Sequence, residues 1–256
     1  MTRDAAGEMS LAEHLTELRT RLLRAVIALV IGGVVGYIVF EQVFDFLLVP
    51  YCDIPSALRA IGPDAQPTCA VVALRPLEPF AVRMKVALLV GLLLGGPVIF
   101  YQLWRFITPG LTQRERRYAL PFVVGSQAMF LIGGAFAFLV IPKGLPVLLG
   151  FGGPAITPQI SAEAYLSFII TMILAFGIVF EVPLLITFLA LVRIVSVKTL
   201  RRVRPYAIVG NFIVAALVTP TSDPVTLFAL AVPMVLFYEA SILAAWLIER
   251  RRRTTE

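Results

Sequence analysis

The side chains able to do chemistry in this sequence are few, and most are carboxylates. Near the N-terminus, the segment SLAEHLTELRTRLLR places His14, Glu17 and Arg21 on one face of a helix, with Glu17 one turn from Arg21. Ser10 and Glu13 form a capping box that starts this helix, and Leu11, Leu15, Leu18 and Leu22 line its apolar face. Further on, Glu115 stands alone among Arg114, Arg116 and Arg117. A carboxylate so placed can be a local counter-ion that fixes depth and topology, or it can accept an incoming cation. Spacing alone leaves both readings open.

Two more acids, Glu181 and Glu239, fall inside long apolar runs. An ionised carboxylate facing lipid is costly, so each is expected to face protein or water. Glu181 lies about 11 residues, or roughly 16 Å, from the nearer end of its run. That depth points to proton coupling, against an alternative in which a protonated Glu only hydrogen-bonds between helices. Nothing in the chain describes an enzyme. There is one histidine, with no metal-ligand cluster, no P-loop and no nucleophile elbow, and the apolar runs hold no pair of aspartates. No metal or cofactor is expected.

The elements that must position these groups are membrane spans. Of the 256 residues, 59% are hydrophobic and 15% charged, and the mean hydropathy is +0.90, outside the balance a soluble domain carries on its surface. Six apolar stretches approach or reach the ~20 residues that cross a bilayer: 22–40, 79–101, 118–142, 164–192, 205–219 and 224–248. Each is expected to be a helix, because only internal hydrogen bonding satisfies the backbone in hydrocarbon. Pro97, Pro183 and Pro233 fall well inside their runs and predict bends. The fifth run is short, about 22 Å of helix. We read one domain, 1–256, without inverted repeats or a linker.

Seventeen of the 22 lysines and arginines fall on one side of these spans, so the positive-inside rule predicts both termini in the cytoplasm. The +6 formal charge is therefore topological and no sign of nucleic acid. The first run is followed by EQVFDF and no small-residue cleavage site, so it is expected to be retained. Cys52 and Cys69 then lie in an extracytoplasmic loop, 41–78, where the compartment is oxidising. They are two thiols or a bridge, and the compartment favours a bridge contributing roughly 3 kcal/mol.

Five segments together resemble the TatC family, the multi-spanning core of the twin-arginine protein translocase: EHLTELRTRLL at 13–23, GGPVIFYQLWRFITPGLTQRERR at 95–117, SFIITMILAFGIVFEVP at 167–183, RRVRPYAIVG at 201–210, and a TPTSDP turn followed by AVPMVLFYE. The resemblance implies an all-α, cup-shaped concave bundle of six transmembrane helices, short in the fifth and sixth spans, in the cytoplasmic membrane. It implies a receptor for the signal peptides of folded cargo, driven by the proton-motive force, with TatB-type and TatA-type single-span subunits, further copies of itself and membrane lipid as partners. Glu17 and Glu115 match the family's recognition carboxylates. Arg19 and Arg21 would hold Glu17, and Phe106 would offer an apolar surface. Guanidinium groups bind carboxylates through two parallel hydrogen bonds that lysine cannot reproduce, which accounts for a preference for arginine. Pro50, Pro97 and Asp223 match partner-contact or structural positions. The cysteine-bearing loop and Leu227, where relatives carry a polar residue, depart from the pattern. A proton-coupled small-solute transporter using Glu181 is the alternative, and a scaffold for other membrane proteins a third reading.

Overall fold

The structure, a computed structural model, describes residues 11–56, 59, 69–107, 119–150, 160–218 and 224–253. Apart from an isolated parallel bridge between Val72 and Ser161, their regular structure is helical. The helices are α1 (Leu11–Ile38), α2 (Phe40–Cys52), α3 (Glu78–Ile107), α4 (Ala119–Gly150), α5 (Ala162–Leu191), α6 (Val197–Val218) and α7 (Pro224–Arg253). Five of them, α1, α3, α4, α5 and α7, are long and apolar enough to cross a membrane. The fifth expected span is α6, whose first turns carry Lys198, Arg201, Arg202 and Arg204, leaving roughly four apolar turns. The last span departs from its expected shortness: α7 is 30 residues long, because the helix runs past its apolar stretch through Glu249 and the terminal arginines.

α1 packs principally on α3 across a glycine seam. Gly32 meets Gly91 across the seam, Gly36 meets Ala87 and Gly95 meets Ala28, with the glycines on each helix four residues apart. A Cβ on Gly91 would stand 2.5 Å from the Leu29 carbonyl oxygen, and one on Gly36 would stand 2.6 Å from Val90 Cβ. Small residues on one face let two backbones approach this closely, and in lipid such van der Waals contact supplies the association that water would otherwise drive. The other face of α1 leaves Leu22, Ile27, Val30, Ile31, Val34 and Ile38 exposed, as a lipid-facing surface should be. α5 is the central helix. Leu166, Ile169, Met172 and Phe176 along it are almost wholly buried, and it packs on α3, α4 and α7.

Proline shapes one of these contacts. Pro97 has no N–H, so the Leu93 carbonyl one turn earlier loses its helical donor. Gln127 of α4 donates its Nε2–H to that carbonyl at 3.4 Å, and its amide lies where a side chain on Gly96 would be.

The described part of the stretch between α1 and α3 includes a helix, α2, that the sequence reading did not name. α2 buries Leu47, Pro50 and Tyr51, and the Tyr165 hydroxyl of α5 donates to the Leu47 carbonyl at 2.7 Å. Glu78, only 3% exposed, accepts from the backbone N–H of Leu74 at 2.7 Å, of Arg75 at 3.2 Å and of Glu163 at 2.7 Å. One carboxylate thus closes its own loop and caps the start of α5, where negative charge opposes the positive helix end. Cys52 and Cys69 are bonded, with Cα atoms 5.2 Å apart, inside the usual range for a bridge. Arg59 donates to the Cys52 and Ile54 carbonyls beside it.

Candidate functional site

The N-terminal turns of α1 and the last turn of α3 form a mixed charged and aromatic site. Because α1 runs unbroken from Leu11 to Ile38, its charged turns are held by the same glycine seam that fixes its apolar part. The His14 ring stacks on Phe106 with centroids 4.5 Å apart and planes 22° apart, joining the two helices at this end. One turn along, Arg21 donates through Nε to Glu17 Oε1 at 3.0 Å and through Nη2 to the same oxygen. Among the described residues Glu17 Oε2 is buried without a hydrogen-bond partner, and so is Arg21 Nη1. Arg105 adds positive potential at Glu17, and its guanidinium donates to the Tyr101 hydroxyl at 3.0 Å.

Chemically, this is a carboxylate with one oxygen satisfied and one open, beside a stacked aromatic pair. A buried acceptor without a partner is costly, and a guanidinium donating into it would remove that cost. The aromatic pair would support the apolar stem of the same residue.

Arg19 is exposed and makes no hydrogen bond or ion pair with Glu17 among the described residues, since a side chain two positions along a helix points elsewhere. Glu115 and its arginine cluster, and Asp223, lie outside the described residues. Pro50 is buried in α2 and Pro97 is exposed on α3. Glu181 is half-buried on α5, with Oε1 buried and without a hydrogen-bond partner among the described residues. The Ser126 hydroxyl of α4 interacts with its carboxyl and also accepts from Trp104 Nε1 at 2.9 Å. Glu239 is no bare acid in an apolar run: its Oε1 accepts from Arg204 Nε at 2.5 Å, with its side chain 36% exposed. The sequence reading missed this partner, the His14–Phe106 stack and the role of Arg105. Only the four-residue spacing of Tyr101 and Arg105 carried a usable signal, because the other contacts join distant segments.

A family model described as Sec-independent protein translocase protein (TatC) matches residues 13–233. The chain belongs to the TatC family. It is 44% identical over 247 residues to the Sec-independent protein translocase protein TatC of Frankia casuarinae, covering 96% of this chain and 68% of that protein. With the TatC protein of Koribacter versatilis the identity is 39% over 254 residues, covering 99% and 91%. A crystal structure of the Twin Arginine Translocase Receptor TatC superimposes with a TM-score of 0.76 at 35% identity, covering 93% of this chain and all of that one, 100%. As a TatC protein the chain is a membrane protein of protein transport. The small-solute transporter alternative finds no support among these relatives. Glu17, Phe106 and Glu181 lie inside the matched segment, whereas the second half of α7, from Met234 onward, lies beyond it.

Proposed function

We propose that this TatC chain is the core subunit and signal-peptide receptor of a twin-arginine translocase, passing folded proteins across the cytoplasmic membrane at the expense of the proton-motive force. The observation that carries the reading is the open, buried Oε2 of Glu17 beside the His14–Phe106 stack. It is an acceptor suited to one arginine of a paired-arginine signal, with Glu115 as the second acceptor. Six spans in a concave, cup-like bundle with both ends in the cytoplasm would put both carboxylates on the side where folded cargo arrives. α6 presents Tyr206, Val209, Ile213 and Leu217 outward, all exposed, as an apolar stripe for TatB-type or TatA-type single-span partners. Further copies of the chain would complete the translocation path. Glu181, with its open oxygen, would be a proton-coupling group; unchanged export by a Glu181→Gln variant across a range of proton-motive force would remove that role.

The receptor reading is tested by following a twin-arginine reporter and an unfolded-chain Sec reporter in cells that carry Glu17→Ala or Glu115→Ala. Selective loss of the first reporter is expected. Normal export of both reporters by both variants would overturn the assignment.

A further inference from the structure

A hollow of about 610 Å³ opens between the first turns of α6 and the second half of α7, lined by Arg201, Arg204, Glu239, Leu243 and Trp246 among others. A second, of about 400 Å³, shares Arg201 and Trp246 and reaches Lys198. The charges around them do not cancel. Glu239 is committed to Arg204, Nε to Oε1 at 2.5 Å, and Glu249 accepts the Val197 N–H at 2.9 Å, at the start of α6. The Arg250 guanidinium lies over the Trp246 ring at 5.2 Å. Lys198 and Arg201, both exposed, have no ion pair or hydrogen bond among the described residues. Four cations, Lys198, Arg201, Arg204 and Arg250, line the two hollows against two carboxylates, Glu239 and Glu249, which leaves two positive charges in excess.

The remaining wall is apolar, and it continues onto an apolar surface. Leu243 is 58% exposed and Trp246 37%, at the point where α7 changes from an apolar run to the sequence Glu249, Arg250. An indole at such a change of polarity sits at headgroup level in a bilayer. A cationic mouth that can fork onto phosphate oxygens, set against an open apolar face, fits a molecule that is anionic at one end and apolar at the other. Free phosphate has no use for the apolar half.

We propose that this hollow binds the phosphate headgroup of an anionic phospholipid, with Arg201 and Lys198 on the phosphate and the acyl chains along Leu243 and Trp246. The α7 wall falls outside the segment that the family model matches, whereas Lys198, Arg201 and Arg204 fall inside it. The proposal rests on the chain being a membrane protein and is independent of the receptor reading.

Native mass spectrometry of the purified full chain in detergent, with phosphatidylglycerol or zwitterionic phosphatidylcholine added, tests it. We expect preferential retention of phosphatidylglycerol by the wild type. The Lys198→Gln/Arg201→Gln double variant should lower that retention roughly 30-fold, about fivefold per cation, without changing retention of phosphatidylcholine. An Arg75→Gln/Lys143→Gln variant, with the same loss of charge elsewhere, should retain phosphatidylglycerol as the wild type does. Three results would overturn the proposal: unchanged retention by the first variant, equal loss in the second, or displacement of the lipid by inorganic phosphate. Should the double variant not fold, the wild type decides. Phosphatidylglycerol with a photoactivatable headgroup should label the peptide spanning residues 197–204, and labelling confined to peptides outside 197–204 and 239–250 would also refute the site.

Discussion

A carboxylate has two oxygens, and Arg21 engages only one of those on Glu17. The other is buried without a partner among the described residues, so its desolvation cost is already met by the fold and is recovered when a donor arrives. A charge-assisted hydrogen bond of this kind is worth about 1.5–3 kcal/mol, so Glu17→Ala should weaken binding of a twin-arginine signal peptide to the purified chain by roughly 10- to 150-fold. A lysine-for-arginine peptide should bind the wild type less tightly and lose less in the variant, because an ammonium is more strongly hydrated than a guanidinium and gives up more to reach a buried oxygen. Titration calorimetry with the two peptides measures both quantities. On the other side of the fold, Glu78 accepts three backbone N–H groups with two oxygens. In Glu78→Gln one oxygen becomes an NH₂ facing a donor, which should cost about 2 kcal/mol and lower the thermal midpoint measured in detergent, with the α5 start and the loop loosened together in hydrogen exchange.

At the scale of elements, the proline in α3 and the glutamine in α4 should behave as one unit. Gln127→Leu leaves the Leu93 carbonyl without the donor that Pro97 withholds, and should destabilise the bundle by about 1 kcal/mol. Pro97→Ala returns a backbone N–H to that carbonyl, so in its background the same Gln127 substitution should cost clearly less. Thermal midpoints of the two single variants and the double one give the coupling, and strict additivity would show that the contact at 3.4 Å carries no weight. This pairing shows what the sequence could and could not yield. The proline is legible in the sequence as a bend, because its missing donor is a property of the residue. The donor that replaced it sits on another helix 34 positions away, and no periodicity reports that. The same division runs through the candidate site. Glu17 and Arg21 were legible as an i, i+4 pair, whereas the stack of His14 on Phe106 depends on two helix ends meeting. The glycines that bring α1 and α3 together have the four-residue spacing of a packing face, but spacing does not say which residues of the other helix they meet. α2 went unread because its 13 residues are too few for a span.

At the scale of the whole molecule, the arrangement makes a claim about sides. The basic turns of α6 and the end of α7 meet at the hollow that holds Arg204 and Glu239, and the Glu17 site lies at the arginine-rich start of α1. The bonded cysteines, the Glu78 cap and the α5 start are gathered at the other ends of α1 and α3. Moving arginines through hydrocarbon is costly, so under the proposed topology these clusters hold their end of the bundle in the compartment where the chain is made. This predicts that a fluorescent protein fused after Glu256 fluoresces in the cytoplasm and that alkaline phosphatase fused there is inactive. Alkaline phosphatase inserted after Ser56, in the disulfide loop, should be active. The cysteines supply an independent readout: membrane-impermeant thiol reagents should leave Cys52 and Cys69 unlabelled until an impermeant reductant is added outside, then label both. The bridge closes a short loop, for which chain entropy gives about 3 kcal/mol, so the same reduction should lower the thermal midpoint by several degrees. Phosphatase activity at the C-terminal fusion, or labelling only after the membrane is opened, would invert the orientation and move the Glu17 site to the side away from folded cargo.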